Sequence, residues 1–314
     1  MVIKGIYAEY GIKAVNHGVG FDTAAIELLL PTYGEELGLK GKICTHFVLN
    51  PHPTMIPAIE KGWVESIHSF GGELGMEDYV KERSDVFFIG PDGSMRSNRT
   101  FAQAAGHYGV DLFAGSTLQI DRFGNSSTAI KDRIQGFGGA PNMGCQANGR
   151  RHVTDGWLKC GLEAPEESRL TGDIVKGKKL VVQLLDTVNP KGGKNFVDQL
   201  DSVELAKDLK LPLPPVMIYG DDVTHIVSEV GIAYLSKCGT LAEREAAIRS
   251  ISGDTSEENM KNLEEMRRKG IVKTPEDLGI DRTRANKDLL AAKSLDELVE
   301  WSGGLYKIPA KFKK

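Results

Sequence analysis

Apolar residues along this chain come in short, unbroken runs separated by glycine- and proline-marked turns. That is the pattern of strands covered on both faces. In KAVNHGVGFDTAAIELLLPTYG (residues 13–34), Ala14 and Val15 end a strand and Gly18 and Gly20 make a turn. Asp22 or Thr23 then caps a helix that Pro31 ends. KICTHFVLN (42–50), VESIHSF (64–70) and SDVFFIG (84–90) read as strands, with a short helix, TMIPAIEKG (54–62), closed by Gly62. Thr100 caps a helix over FAQAAGHYG (101–109). VDLFAGSTLQID (110–121) is one long strand or a pair broken at Gly115. KKLVVQLLDT (178–187), PPVMIYG (214–220), VTHIVSEVG (223–231) and IAYL (232–235) follow as strands. Strands alternating with short helices predict an α/β layer fold.

From residue 241 the pattern changes. LAEREAAIRSI (241–251), EENMKNLEEMRRKG (257–270) and RTRANKDLLAAKSLDELVEW (282–301) are charged and helical. The expected organisation is therefore an α/β domain over 1–240 and a helical extension over 241–314 that packs on it. The first 21 residues enter directly into what reads as domain interior, as a fragment or as a half completed by another chain would.

With 40% hydrophobic and 26% charged residues, the 314-residue chain has the composition of a globular protein with a sizeable core. A net charge of −4 does not favour a nucleic-acid partner, and the longest apolar run, AAIELLLP, is too short to span a bilayer and contains Glu27. Cys44, Cys145, Cys160 and Cys238 form no C-x-x-C pair, so reduced thiols in a cytoplasmic protein are expected.

Two glycine stretches stand out. NHGVGFD (16–22) lacks the third glycine of a dinucleotide fingerprint, yet leaves free N–H groups where a helix begins, which suits an anion or a developing oxyanion. QGFGGAPNMG (135–144) places Gly136, Gly138, Gly139 and Gly144 around Phe137 and Pro141, as a loop does that something approaches closely. His46, His52 and His68 lie near one another in sequence but lack metal-ligand spacing, and no metal is expected. No G-x-S-x-G elbow is present. Glu73 and Glu77 are carboxylates beside glycines, and Arg96, Arg99, Arg150 and Arg151 form two small basic clusters suited to a phosphate or carboxylate.

VNHGVGFDTAAIELLLP, GSTLQIDRFGNSST and GFGGAPNMG resemble, in order and spacing, the C-terminal (β-type) domain of the CoA-transferases. With GFDTAAIELLLPTYG, GRRH and the ending WSGGLY added, essentially the whole chain resembles the malonate decarboxylase α-subunit family, but only the C-terminal of its two transferase-like domains. The resemblance implies an open CoA-transferase-like sheet layered with helices. It implies a reaction in which acetyl-S-ACP and malonate give malonyl-S-ACP and acetate, where ACP is an acyl carrier protein. The cofactor is then a phosphoribosyl-dephospho-CoA arm on the carrier, with none bound by this chain. The implied partners are the ACP subunit, the decarboxylase subunits and an N-terminal-type transferase domain.

The same resemblance implies site residues. Backbone amides of Val19 or Gly20 and of Gly138 or Gly139 hold the thioester oxygen, and Asn125 orients the acyl group. Phe70, Gly71, Gly72, Gln119 and Gly136 line the carrier arm. Covalent relatives carry a nucleophilic Glu in a SENG motif. Here SFGGELGM places Phe70 at that position, which implies direct attack by the malonate carboxylate; a shifted alignment brings in Glu73 instead. Two alternatives stay open: an ordinary CoA-transferase for another acid, and a non-catalytic half that docks the carrier.

Overall fold

The computed structural model describes residues 1–69, 72–88, 110–127, 129–131, 133–134, 180–200, 202–212, 218–284 and 287–313. Its centre is an eight-stranded sheet. The strands are β1 (Ala14–His17), β2 (His46–Val48), β3 (Ser66–His68), β4 (Leu112–Ser116), β9 (Leu180–Leu184), β11 (His225–Val227), β12 (Ile232–Tyr234) and β13 (Val272–Lys273), in the order β13-β12-β11-β9-β4-β1-β2-β3. The six strands from β3 to β11 are parallel, and β12 and β13 add an antiparallel edge. A small second sheet pairs β5 (Gln119–Asp121) with β6 (Ser126–Ser127) and β10 (Phe196–Val197). The short hairpin β7 (Ala129–Ile130) and β8 (Arg133–Ile134) stands apart from it.

Both faces of the large sheet are covered, which is why β9 carries apolar residues on both sides: all five of its residues, Gln183 included, are buried. One face packs Val15, Phe47, Ile67, Ala114 and Val182 against α2 (Phe21–Leu29), α3 (Ile56–Glu60) and the N-terminal helical turns, through Ile3, Ile6 and Tyr7. The other packs Val48, Phe113, Val181 and Ile226 against Ile248 of α6 (Leu241–Ser250) and Met266 of α7 (Glu257–Arg268).

Among the described residues, 241–313 hold three α-helices separated by turns and a short strand, and they are woven into this body. They supply the edge strand β13, α6 and α7 on one face, and on the other Leu298 of α8 (Leu295–Trp301) together with Tyr306. Capping side chains set their starts. Thr240, Ser256 and Ser294 accept from the N–H groups of Glu243, Asn259 and Glu297, while the Glu243 and Glu297 carboxylates reach back to the Gly239 and Lys293 N–H groups. The Ser294 cap is why the long helix expected over 282–301 is instead a 3-10 turn (Lys287–Leu289) followed by α8.

Other expectations change too. Pro31 does not end α2: the chain continues through a wide turn, Leu30–Gly34, that absorbs the missing proline N–H. The strand expected at 84–90 is reduced, among the described residues, to one bridge between Ile67 and Phe87. Residues 110–121 form two strands, β4 and β5, whose break falls at Thr117 and Leu118 rather than at Gly115. The strand expected at 214–220 is reduced, among the described residues, to one bridge between Ser126 and Ile218. The helix expected at 101–109 lies outside the described residues. Cys44 and Cys238 are buried and unbridged. No helix among the described residues is long and apolar enough to cross a membrane.

Candidate active site at the carboxyl edge of the sheet

The chain runs outward from β1 through β2 to β3, then returns to lay β4 on the other side of β1. The gap between β1 and β4 is therefore the switch point of the parallel sheet. Loops part there, and a ligand finds a crevice outside the carboxyl ends of the strands. The glycine turn after β1 occupies this point. Gly18 N–H donates to Ala114 O of β4 at 2.7 Å, and a Cβ on Gly18 would come within 3.2 Å of the Gly115 Cα. So the first glycine serves a tight crossing. The amides that follow are differently placed, because no side chain caps α2. Neither expected cap acts as one. Thr23 Oγ1 donates back to the carbonyls of Gly18 (2.6 Å) and Gly20 (3.1 Å), and Asp22 Oδ2 accepts from Ser116 Oγ at 2.6 Å. The first-turn N–H groups of a helix have no intrahelical partner, so α2 begins with free donors behind Val19 and Gly20.

A cavity of about 370 Å³ opens beside this turn, lined by Phe21, Asp22, Ser116, Thr117, Arg133 and Asp186 among others. Desolvation first, then the Asp22 and Glu229 charges, push the Asp186 carboxyl above its usual range. Phe21 is 89% exposed, an unusual placement for a phenyl ring at the start of a helix.

Behind the turn lies a buried polar network. Glu27 of α2 is fully buried. Its Oε1 accepts from His17 Nδ1 (3.0 Å) and His52 Nδ1 (3.3 Å), and Thr54 donates to Oε2. An ionised carboxylate only accepts, so both imidazoles carry their proton on Nδ1. His17 Nε2 then accepts from Tyr7 Oη at 2.8 Å. Burial alone would push the Glu27 carboxyl up. The His52 charge and the hydrogen bonds from both histidines outweigh it and hold Glu27 at about 2. Burial opposes a charge on His52 as well, but Glu27 raises it above its usual range. His52 Nε2 is buried and makes no hydrogen bond.

Of the residues the sequence points to, Val19 and Gly20 stand at the switch point. Val19 is half-exposed, and Gly20 precedes the first residue of α2. Asn125 is not free to orient an acyl group. Its Nδ2 donates to Asp121 Oδ2 and its Oδ1 accepts from Gly220 N–H, so both ends of the amide hold a turn. That turn explains Gly124 (φ +86°) and a crossing so tight that a Cβ on Gly220 would lie 2.1 Å from the Phe123 carbonyl oxygen. Gln119 is half-buried on β5, just past the cavity-lining Leu118. Gly72 and Glu73 follow β3, and Glu73 is near enough to His52 for its charge to act there. Phe70, Gly71, Gly136, Gly138, Gly139 and the four arginines at 96, 99, 150 and 151 lie outside the described residues. His46 bonds Ser66 Oγ (2.9 Å), and the His68 ring lies tilted against Phe88 at 5.3 Å between centroids. Among the described residues no three His, Cys, Asp or Glu side chains are grouped to hold a metal ion.

Sequence reasoning missed Tyr7, Glu27 and Asp186. A signal existed for Glu27: it is the one charge in the run AAIELLL, and a carboxylate inside an apolar helix face needs partners.

Comparison with known proteins adds identity to this geometry. A family model described as malonate decarboxylase, alpha subunit, transporter, matches residues 1–314. An acetyl-S-ACP:malonate ACP transferase of Malonomonas rubra is 65% identical over 315 residues, 99% of this chain and 57% of that protein. A Pseudomonas malonate decarboxylase hetero-tetramer in complex with malonate contains a chain that is 56% identical, with TM-score 0.89 over 100% of this chain and 57% of that one. The malonate decarboxylase alpha subunit of Acinetobacter baumannii is 55% identical, with TM-score 0.88 over 98% and 57%. The chain thus spans a little over half the length of these relatives. The match over its whole length identifies it as a member of the malonate decarboxylase alpha-subunit family.

Proposed function

We propose that this chain carries the acyl-transfer site of an acetyl-S-ACP:malonate ACP transferase with a CoA-transferase-like fold, working in the cytoplasm. The carrier bears a phosphoribosyl-dephospho-CoA arm, decarboxylase subunits consume the malonyl thioester, and an N-terminal-type transferase domain completes the crevice. The observation that carries this reading is the uncapped start of α2 at the switch point, in a chain 65% identical to a protein of that activity.

The chemistry follows from the geometry. A malonate carboxylate oxygen attacks the thioester carbon, and negative charge gathers on the former carbonyl oxygen. In this reading the amide of Val19 or Gly20, at the uncapped start of α2, receives that charge, with Gly138 or Gly139 as the second donor. One aimed donor of this kind lowers such a barrier by about 3 kcal/mol. Thr23 holds the turn carbonyls from inside, so the donors need no rearrangement as charge develops.

The test is acetate release from acetyl-S-ACP on addition of malonate, with the chain alone and with an N-terminal-type transferase domain supplied. Release by the chain alone means a complete site, and release only with the added domain means a divided one. No release in either case overturns the reading. Trapping of an acyl-Glu73 by hydroxylamine would replace direct attack with a covalent step.

A further inference from the structure

Glu27 holds two imidazoles by the same atom, and they differ in one respect. His17 has its far nitrogen occupied by the Tyr7 hydroxyl; His52 does not. His52 is 8% exposed and its Nε2 is shielded from solvent without a protein partner. A buried, unsatisfied ring nitrogen is costly, and folded proteins keep few such atoms. Everything around it is arranged to hold the ring. Glu27 fixes the Nδ1–H tautomer, and Thr54 and His17 complete the carboxylate's bonds. His52 lies in the connection after β2, the neighbour of β1, and its bond to Glu27 ties it to α2, the helix that leaves the glycine turn. His17, the last residue of β1, ties the network to that turn directly.

We infer that His52 Nε2 is a catalytic atom for a thiol: it is the group that meets the sulfur leaving and re-entering the acyl centre. The inference rests on the transferase reading above. As the carboxylate oxygen bonds the thioester carbon, the C–S bond breaks and its electron pair goes to sulfur. The Nε2–H of the His52 imidazolium hydrogen-bonds that thiolate and keeps its proton. In the second half the thiolate attacks the malonyl carbonyl of the anhydride, the bond from that carbon to the acetate oxygen breaks, and acetate leaves with the pair. Imidazolium beside a thiolate is a stabilised pair, and Glu27 favours the charged ring against the pull of burial, as a carboxylate does for a catalytic histidine. The groups facing His52 are Glu27 from α2, and Glu73 from the segment after β3, whose charge also favours the imidazolium. If the atom instead serves only to hold a water, the ring is structural.

The experiment uses the assembled decarboxylase with its acyl carrier. Wild type must first show malonate-dependent acetate release; if it shows none, the transferase reading fails, not this inference. Given that activity, His52→Gln keeps one hydrogen bond to Glu27 but no ionisable nitrogen. The expected result is a fall in turnover of about 100-fold or more, with the limb of the pH–rate profile that reports loss of the imidazolium abolished. Lowered thermal stability with near-normal turnover and an unchanged profile overturns the inference. Should the variant fail to fold, ¹⁵N-histidine spectra of wild type decide. The Nε2 resonance of His52 must move when the thiol form of the carrier binds, and an unmoved resonance overturns it.

Discussion

Replacing Glu27 by Gln perturbs the buried network at its centre. At pH 7 the carboxylate accepts from two Nδ1–H groups and Thr54. A neutral amide offers the two Nδ1–H groups an uncharged oxygen and turns an NH2 toward Thr54, whose hydroxyl must then accept, so the charge that both imidazoles share is lost. Holding the carboxyl at about 2 against an ordinary value of 4.5 corresponds to about 3 kcal/mol, at about 1.4 kcal/mol for each tenfold change in proton affinity. Breaking a buried charged pair by removing one partner costs about 3–5 kcal/mol, so the two routes agree. Because the folded value is depressed, this stability is fully present above 4.5 and is lost as pH falls towards 2. His52 contributes with the opposite sign. Its value is raised by Glu27, so its share is present below 6.5 and lost as pH rises through the folded value. Urea unfolding of both proteins across pH 3–8 gives the difference directly, and every carboxylate not coupled to Glu27 cancels from it. The gap is expected to be widest between pH 4.5 and 6.5 and to shrink on the acid side. A gap below about 1 kcal/mol at pH 6, or one that does not change between pH 6 and 3, would refute the buried-carboxylate account.

Thr23→Ala removes the brace on two turn carbonyls; a loss of about 1 kcal/mol and a clear drop in kcat are expected, read by urea titration and acetate release. Gly75 has φ +88° and a Cβ there would lie 1.8 Å from the Lys307 carbonyl oxygen. Gly75→Ala should therefore free the segment around Tyr306, seen as faster proteolysis near the C-terminus. Phe21→Ser, at an 89% exposed ring on the cavity rim, should leave unfolding unchanged while raising the apparent KM for the acyl carrier; an unchanged KM would place the carrier elsewhere. Gly138→Val should abolish turnover with the fold retained, and normal turnover would remove the second oxyanion donor from the proposed site.

Local chemistry made much of this legible in the chain itself. The run VVQLL announces a strand buried on both faces, because apolar residues fall on both sides of it and no charged residue is left for water. The glycine turn NHGVGFD announces a strand-to-helix junction, and the charged, periodic stretches after 241 announce helices. Recurrence of several long motifs in order made the family readable as well. Tertiary structure alone decided what each polar atom is spent on. Asn125 and Gly18 suit an active site by sequence, yet the fold uses one to hold a turn against Gly220 and the other to let β1 pass β4. Glu27 looks like an interruption of an apolar helix. Only the meeting of α2, β1, the β2–α3 connection and the N-terminal helical turns shows it as the shared acceptor of two histidines. Strand order and burial are long-range properties: parallel neighbours such as β4 and β9 are separated by more than 60 residues. No local pattern encodes which side of β1 the returning strand takes, and that choice is what creates the crevice.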